Sequence, residues 1–335
     1  MNVFAIESSC DETSASVVKD GKHILSNVIA SQDDLHGPFG GVVPELASRR
    51  HAEIIDKIAQ DALKSAGMDW GDIDLLAVTQ GPGLVGSLII GISYILGVSY
   101  RHNIPVVGIN HLEAHLNAGL IGKTDIEFPV LGLIVSGGHT LLIKMDDARH
   151  YTKIGTTLDD AAGEAFDKVA MMMGLGYPGG PKVSKIAVSG DPKSIRFPQG
   201  LIRSSSFDFS FSGVKTSVLY KLKSEQQPVS EERKADIAAS FQYSAVSVLV
   251  KKTMRAAKHY NIKTITAGGG VTCNPLLREK LKHYSDKYGY RLVLSDPQLC
   301  TDNAAMIGAL AYFYRDKAVY AKDTALDPMP NMVLI

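Results

Sequence analysis

His111 and His115 stand four residues apart in the run Asn110-His111-Leu112-Glu113-Ala114-His115, and two imidazoles at that spacing can share a metal ion if the run is helical. At about 100° per helical residue, His115 lies about 40° round the axis from His111, so both rings reach one ion. Glu113 falls about 200° away, on the far side. A zinc peptidase of the H-E-x-x-H type needs its glutamate directly after the first histidine, within reach of the metal-bound water. Leucine occupies that position here, so a peptidase would lack its general base. The alternative is a hydrogen-bonded histidine pair at a partly exposed helix end, and spacing alone does not choose between the two.

Other residues could handle a nucleotide. Ser136-Gly137-Gly138 lies between two apolar runs, and successive N–H groups in such a turn form a concavity for anions; an ordinary glycine-rich hairpin has the same composition. The P-loop pattern G-x-x-x-x-G-K-[ST] is absent. Gly81-Pro82-Gly83-Leu84-Val85-Gly86 is followed by Ser87, and Gly213-Val214-Lys215-Thr216 lacks the upstream glycine. Asp160, Glu164 and Asp167 recur at helical spacing, with Lys168 four residues after Glu164, which reads as a charged helix face with an ion pair. They precede the glycine- and proline-rich segment from Gly174 to Pro181, and carboxylates beside such a turn can hold ribose hydroxyls. Asp302 and Asn274 each stand where a helix begins, where capping is their ordinary role.

The elements that position these groups alternate between strand and helix. Val3-Phe4-Ala5-Ile6 runs through a polar turn into Ala15-Ser16-Val17-Val18. Leu131 to Val135, Ser136 to Thr140 and Leu141-Leu142-Ile143 repeat that plan about 130 residues later. Thr264-Ile265-Thr266-Ala267 ends in three glycines. Helical patterns cover Pro44 to Ala66, Thr156 to Met173, Lys234 to Tyr260 and Asn303 to Tyr314, giving an α/β architecture, and the repeated hairpin implies two similarly built lobes. With 335 residues, 45% of them hydrophobic, two domains are expected. Lys plus Arg equal Asp plus Glu at 35 each, so overall charge gives no reason to expect nucleic acid or anionic membrane as partner. Ser48-Arg49-Arg50-His51 is a small basic cluster, and Lys182 and Lys185 add charge near the glycine-rich segment. Cys10, Cys273 and Cys300 are odd in number and without C-x-x-C spacing, fitting free thiols, buried by default, in a reducing compartment. Leu84 to Val98 is apolar but only 15 residues long and broken by glycines, a buried helix rather than a membrane span. A cytoplasmic protein is expected.

Six segments together resemble the bacterial TsaD family: Glu7 to Thr13, His111 to His115, Val135 to Thr140, Asp159 to Lys168, Gly268 to Val271 and Thr301 to Met306. The resemblance runs the length of the chain in order. It implies an actin-like, Hsp70-like and sugar-kinase-like (ASKHA) two-lobed fold, each lobe ribonuclease-H-like, with residues 1–110 plus 298–335 as the N-terminal lobe and 111–297, with helical insertions, as the C-terminal one. It implies transfer of a threonylcarbamoyl group from threonylcarbamoyl-adenylate to N6 of adenosine 37, in tRNAs reading ANN codons, with release of AMP. Carried over by position, His111, His115 and Asp302 would be the catalytic ligands of one Fe(II) or Zn(II) ion. Val135, Ser136, Gly137, Gly138, His139, Asp167, Gly180 and Asn274 would hold the adenylate. Archaeal and eukaryotic relatives add a tyrosine ligand near the second hairpin; the aligned position here is Ile134, which leaves the metal more open. The implied partners are tRNA, the fold-sharing TsaB, and TsaE, an ATPase that consumes ATP; the apolar helical runs Leu84 to Val98 and Pro44 to Ala66 are the expected contact for TsaB. Homodimerisation of the isolated chain stays open. A kinase or ATPase of the same fold and, behind it, a metallopeptidase are the alternatives.

Overall fold

In β1 (Asn2–Glu7), Val3, Phe4, Ala5 and Ile6 are all fully buried, and a strand with no polar face belongs mid-sheet with helices above and below. β1 pairs antiparallel with β2 (Glu12–Lys19), which pairs antiparallel with β3 (His23–Ser31). After the single-turn α1 (Asp33–His36) and the long α2 (Pro44–Ala66), β4 (Leu75–Gly81) adds parallel to the other side of β1. α3 (Val85–His102) then leads to β5 (Val106–Asn110), parallel to β4, and α4 (His111–Ala118) follows at once. The strand order is β3-β2-β1-β4-β5. Phe4 and Ile6 pack with Ile55, Ile58, Leu88 and Ile92 of α2 and α3, each worth about 1.5–3 kcal/mol when fully buried. α2 has the expected bounds because Pro44 sits in its first turn and Gly67, at φ 66°, ends it in the left-handed region.

A second sheet repeats the plan. β6 (Val130–Val135), β7 (Thr140–Met145) and β8 (Tyr151–Thr156) are antiparallel neighbours. Four helices follow: α5 (Ala162–Met172), α6 (Gly179–Ala187), α7 (Ser212–Ser224) and α8 (Glu231–His259). β9 (Thr264–Gly268) adds parallel to β6, and after α9 (Pro275–Tyr288), β10 (Arg291–Leu294) adds parallel to β9. The order β10-β9-β6-β7-β8 matches the first sheet strand for strand, so the repeated hairpin and the third apolar run mark equivalent positions. The chain then returns to the first sheet through α10 (Ala304–Ala311), whose Met306, Ile307 and Leu310 pack with Val3, Ala5 and Ala114.

The computed structural model describes residues 1–323 and 326–334. Its two compact units are residues 1–126 with 148–150 and the segment from Ser295 onward, and residues 127–147 with 151–294. The expected boundary after residue 110 moves to 126 because α4 packs on β1 and α10 through Ala114 and Ala118, and the one before 298 moves to 295. The helix expected from Thr156 starts only at Ala162. Thr156 N–H is held by Asp208 at 3.0 Å, Thr157 N–H by the Thr140 carbonyl at 2.9 Å and Leu158 N–H by the Phe209 carbonyl at 2.9 Å. Among the described residues no helix is long and apolar enough to cross a membrane. Of the free cysteines, Cys300 is buried and Cys10 intermediate, whereas Cys273 is exposed.

Candidate functional site

α4 starts at His111 because Asn110 caps it, its Oδ1 accepting from the N–H groups of Leu112 and Glu113 at 2.9 and 3.3 Å. The capping side chain is itself fixed, since its Nδ2 donates to the Val333 carbonyl at 3.0 Å. His111 and His115 therefore project side by side, ring centroids 4.6 Å apart. Asp302 meets them from the far end of the first unit, its Oδ1 at 3.5 Å from His111 Nε2 and 3.0 Å from His115 Nε2. Asp302 does not cap α10. Asn303 does, through Oδ1 and the Met306 N–H at 3.2 Å, so the ordinary role of Asp302 is taken by its neighbour.

The other ring nitrogen of His111 is already engaged. Nδ1 lies 3.0 Å from Glu7 Oε2 and 3.2 Å from Ser9 Oγ. Burial alone would raise the Glu7 pKa, but His111 and the Ser9 hydrogen bond outweigh it and hold the carboxyl below its ordinary range. An ionised carboxylate only accepts, so Nδ1 carries the proton and donates. This carboxylate–histidine pair is the arrangement that aims Nε2 at a metal. Glu7 is held in turn by the Ser9 N–H at 2.5 Å and the Thr79 hydroxyl at 2.5 Å.

One donor atom from each of His111, His115 and Asp302 fits within a 4.8 Å span, and His115 Nδ1 is a buried atom with no hydrogen-bond partner among the described residues. Two imidazoles and one carboxylate suit Zn(II) or Fe(II) and leave coordination positions over. Burial, then the charges of Asp302 and Asp11, push the Glu12 carboxyl well above its usual range. Burial likewise pushes the Cys10 thiol up, so it is not a thiolate. Glu113 is fixed on the far side by the Tyr314 hydroxyl, which donates at 2.6 Å, so it is not the base of an H-E-x-x-H peptidase. Glu7 and Ser9 are the residues spacing did not single out, because only the folded sheet brings residue 7 to residue 111.

The second unit carries the residues expected at the adenylate. Ser136 N–H is spent on the His139 carbonyl at 2.9 Å, and Ser136 Oγ accepts from the His139 N–H at 3.1 Å. The amides of Gly137 and Gly138 make no hydrogen bond among the described residues, which leaves those two as the donors of the turn open to a ligand. Gly163 and Gly269 let neighbouring backbone close on this turn: a Cβ on Gly163 would lie 2.5 Å from the Ser136 carbonyl oxygen, and one on Gly269, at φ 91°, 2.5 Å from that of Val135. Asp167 accepts from the Gly179 N–H at 2.8 Å and so ties α5 to the start of α6, where Gly180 lies. Asn274 caps α9 and also donates to Ser184 Oγ of α6 at 2.8 Å and Gln242 Oε1 of α8 at 2.7 Å. Asp160 lies outside the helix and pairs with Lys215 and Lys168, which removes it from the charged face read in the sequence.

Of the expected basic residues, all but the exposed Lys185 have local partners. Arg49 pairs with Glu45 at 2.7 Å, Arg50 with Glu53 at 3.0 Å, and His51 is buried against Thr13 and the Cys10 carbonyl. Lys182 donates to the Tyr177 carbonyl at 3.0 Å.

Two sheets of one strand order, one unit holding a two-histidine, one-aspartate cluster, define an actin-like or sugar-kinase-like α/β protein fitted with a metal-ligand set. Its fold neighbours agree: the nucleotide-bound HypF structure (TM-score 0.61, 12% identity, 93% of this chain and 55% of that one), and a ROK hexokinase from Thermus thermophilus (TM-score 0.53, 15% identity, 97% and 100%). A profile of the TsaD family, tRNA N6-adenosine threonylcarbamoyltransferase, matches residues 23–309. The tRNA N6-adenosine threonylcarbamoyltransferases of Syntrophotalea carbinolica and Clostridium perfringens strain SM101 are 49% and 48% identical, over 94% and 99% of this chain and 92% and 98% of their own lengths. The chain belongs to the TsaD family.

Proposed function

We propose that this chain transfers the threonylcarbamoyl group of threonylcarbamoyl-adenylate to N6 of adenosine 37 in tRNAs reading ANN codons, releasing AMP. The observation that carries the reading is the family match across residues 23–309, which spans all the metal-ligand and adenylate candidates. The exocyclic amine of adenine is a poor nucleophile, and the mixed carbamoyl–phosphate anhydride is already activated, so no covalent enzyme intermediate is required. What the chain adds is positioning, worth about 7–11 kcal/mol in favourable cases. Gly137 and Gly138 offer amides to the phosphate, Asp167 and Gly180 border the nucleoside, and Asn274 anchors α9 beside it. Asp302, His111 and His115 would hold Zn(II) or Fe(II), with Glu7 orienting His111. A bound ion of this kind supplies Lewis acidity and a template for the threonylcarbamoyl end.

The partners follow the same reading. TsaB would cover α3, where Val85, Ile89 and Tyr100 are exposed, together with α2, and TsaE would supply ATP hydrolysis; the setting is the cytoplasm. The test is reconstitution with these partners, synthetic threonylcarbamoyl-adenylate and unmodified tRNA, then nucleoside mass spectrometry. Wild type is expected to yield threonylcarbamoyladenosine. His111→Ala is expected to lose at least 100-fold in rate while still binding adenylate, and an active, metal-free His111→Ala enzyme refutes the metal role.

A further inference from the structure

A groove of about 860 Å³ in the second unit is lined by Lys193, Arg196, Arg203, Lys251 and Tyr243, and no carboxylate lines it. In a chain whose charges sum to zero, that is a local surplus of positive charge. The cluster is also available. Lys193, Arg196 and Arg203 are exposed and have no ion-pair partner among the described residues, unlike Arg49 and Arg50. Of the acids on the adjoining chain, Asp236 is paired with Arg233 at 3.3 Å and accepts from the Asp191 N–H at 2.8 Å, and Asp191 accepts from the Lys193 N–H at 2.9 Å.

The wall bearing these cations is fixed. The segment from residue 191 to 206 is tied along α8, with Ile195 N–H donating to Ser240 Oγ at 3.1 Å, Ser240 Oγ to the Asp191 carbonyl at 3.1 Å and Ser244 Oγ to the Pro198 carbonyl at 2.8 Å. Lys252 and Arg255 hold the Ser206 and Ser204 carbonyls, and Phe197 is sunk in the core. Such a wall fixes the Cα positions from which Arg196 and Arg203 extend, so that binding has only their side chains left to order. Tyr243 carries Lys280 over its ring, the Nζ 5.0 Å from the centroid, which sets a further cation beside the groove. Gln242, one residue back on α8, is the group that holds Asn274, so one turn of α8 serves both the groove and the proposed adenylate site.

We propose that this groove receives the phosphodiester backbone of the tRNA substrate, with Arg196 and Arg203 as the principal phosphate contacts. Paired guanidinium groups match phosphate oxygens in a way that isolated lysines do not, and a substrate carrying a phosphate at every residue is the partner whose charge complements a carboxylate-free groove. The inference rests on the transferase reading above.

The experiment compares wild type, Arg196→Gln/Arg203→Gln, the conservative Arg196→Lys/Arg203→Lys, and a control pair elsewhere on the same unit, Lys223→Gln/Lys282→Gln, all with the partner proteins. Unmodified tRNA transcript is the probe, with binding followed over a range of salt and modification by mass spectrometry. The glutamine pair is expected to raise KM for tRNA at least tenfold and leave kcat at saturating tRNA within about twofold. Its plot of log affinity against log salt should be shallower by about 1.5, from about 0.7–0.9 per phosphate contact. The lysine pair should recover most of the salt slope, and the control pair should match wild type. Unchanged KM and salt slope in the glutamine pair, or an equal loss in the control pair, overturns the groove assignment. A wild-type complex that makes no threonylcarbamoyladenosine overturns the transferase reading instead.

Discussion

At His111, burial disfavours the imidazolium while the carboxylates of Asp302 and Glu7 favour it, and the carboxylates win, raising its pKa to about 9. The raised value sets the sign of two effects. The folded-state proton stabilises the metal-free chain fully below the ordinary histidine value near 6.5, and this contribution is lost as pH rises toward about 9. A metal ligand must be deprotonated, so metal binding below about pH 9 releases that proton and weakens as pH falls. Glu7→Gln removes one of the two carboxylates. It is expected to lower metal affinity about 10–100-fold and to flatten the stability change of the metal-free chain between pH 6.5 and 9; chelator competition and denaturant titrations across pH measure both, and wild-type affinity in Glu7→Gln rules out the orienting role. The histidine pair was legible in the sequence because helical spacing is local. Asp302 was legible only through resemblance, since nothing in spacing connects it to His115, and Glu7 was not singled out because its role exists only once β1 and β5 lie in one sheet.

For α4 as an element, the cap is what places the first ligand at the first residue of the helix. Asn110→Ala removes both the cap and the donor to Val333, whereas Asn110→Asp keeps the acceptor and removes only the donor. The alanine variant is expected to lose about 1 kcal/mol from the cap and the aspartate variant less, read by thermal unfolding, with metal stoichiometry falling in the same order; equal melting of all three proteins would discard the idea. Strands and hairpins were read correctly where apolar runs ended in glycine-rich turns. Reading failed from Thr156 to Ala161, where Asp160 sits at helical spacing from Glu164 and Asp167. There Asp159 accepts from the Phe211 and Ser212 N–H groups at 2.7 and 3.3 Å, and such distant partners hold the segment extended against its local pattern. The loop that lines the groove has no hydrophobic period, so neither its path nor its unpaired cations could be read before folding.

For the molecule as a whole, the candidate metal ligands all lie in one unit and the adenylate candidates all in the other. Chelating the metal is therefore expected to abolish transfer while leaving AMP affinity within a few-fold of the loaded protein, as calorimetry would show; AMP binding that vanishes with the metal would contradict this division of labour. The duplication of strand order was legible as a weak repeat, because hairpins with equivalent roles end in similar turns. The unit boundaries were not, since α4 follows β5 without a break and only its packing against α10 assigns it to the first sheet.

The position of α10 also bears on how the chain is made. β1 leaves the ribosome early, yet the face of its sheet bearing Val3, Ala5, Leu75 and Ile109 is covered by Met306, Ile307 and Leu310, which are synthesised only after the whole of the second unit. Domains tend to fold as units while synthesis proceeds, so the unit begun first is the last to be completed. Until then an apolar sheet face and a histidine pair without its aspartate stand exposed, and a ribosome stalled between Leu294 and Asp302 would display a nascent chain prone to aggregation and unable to form the three-ligand site.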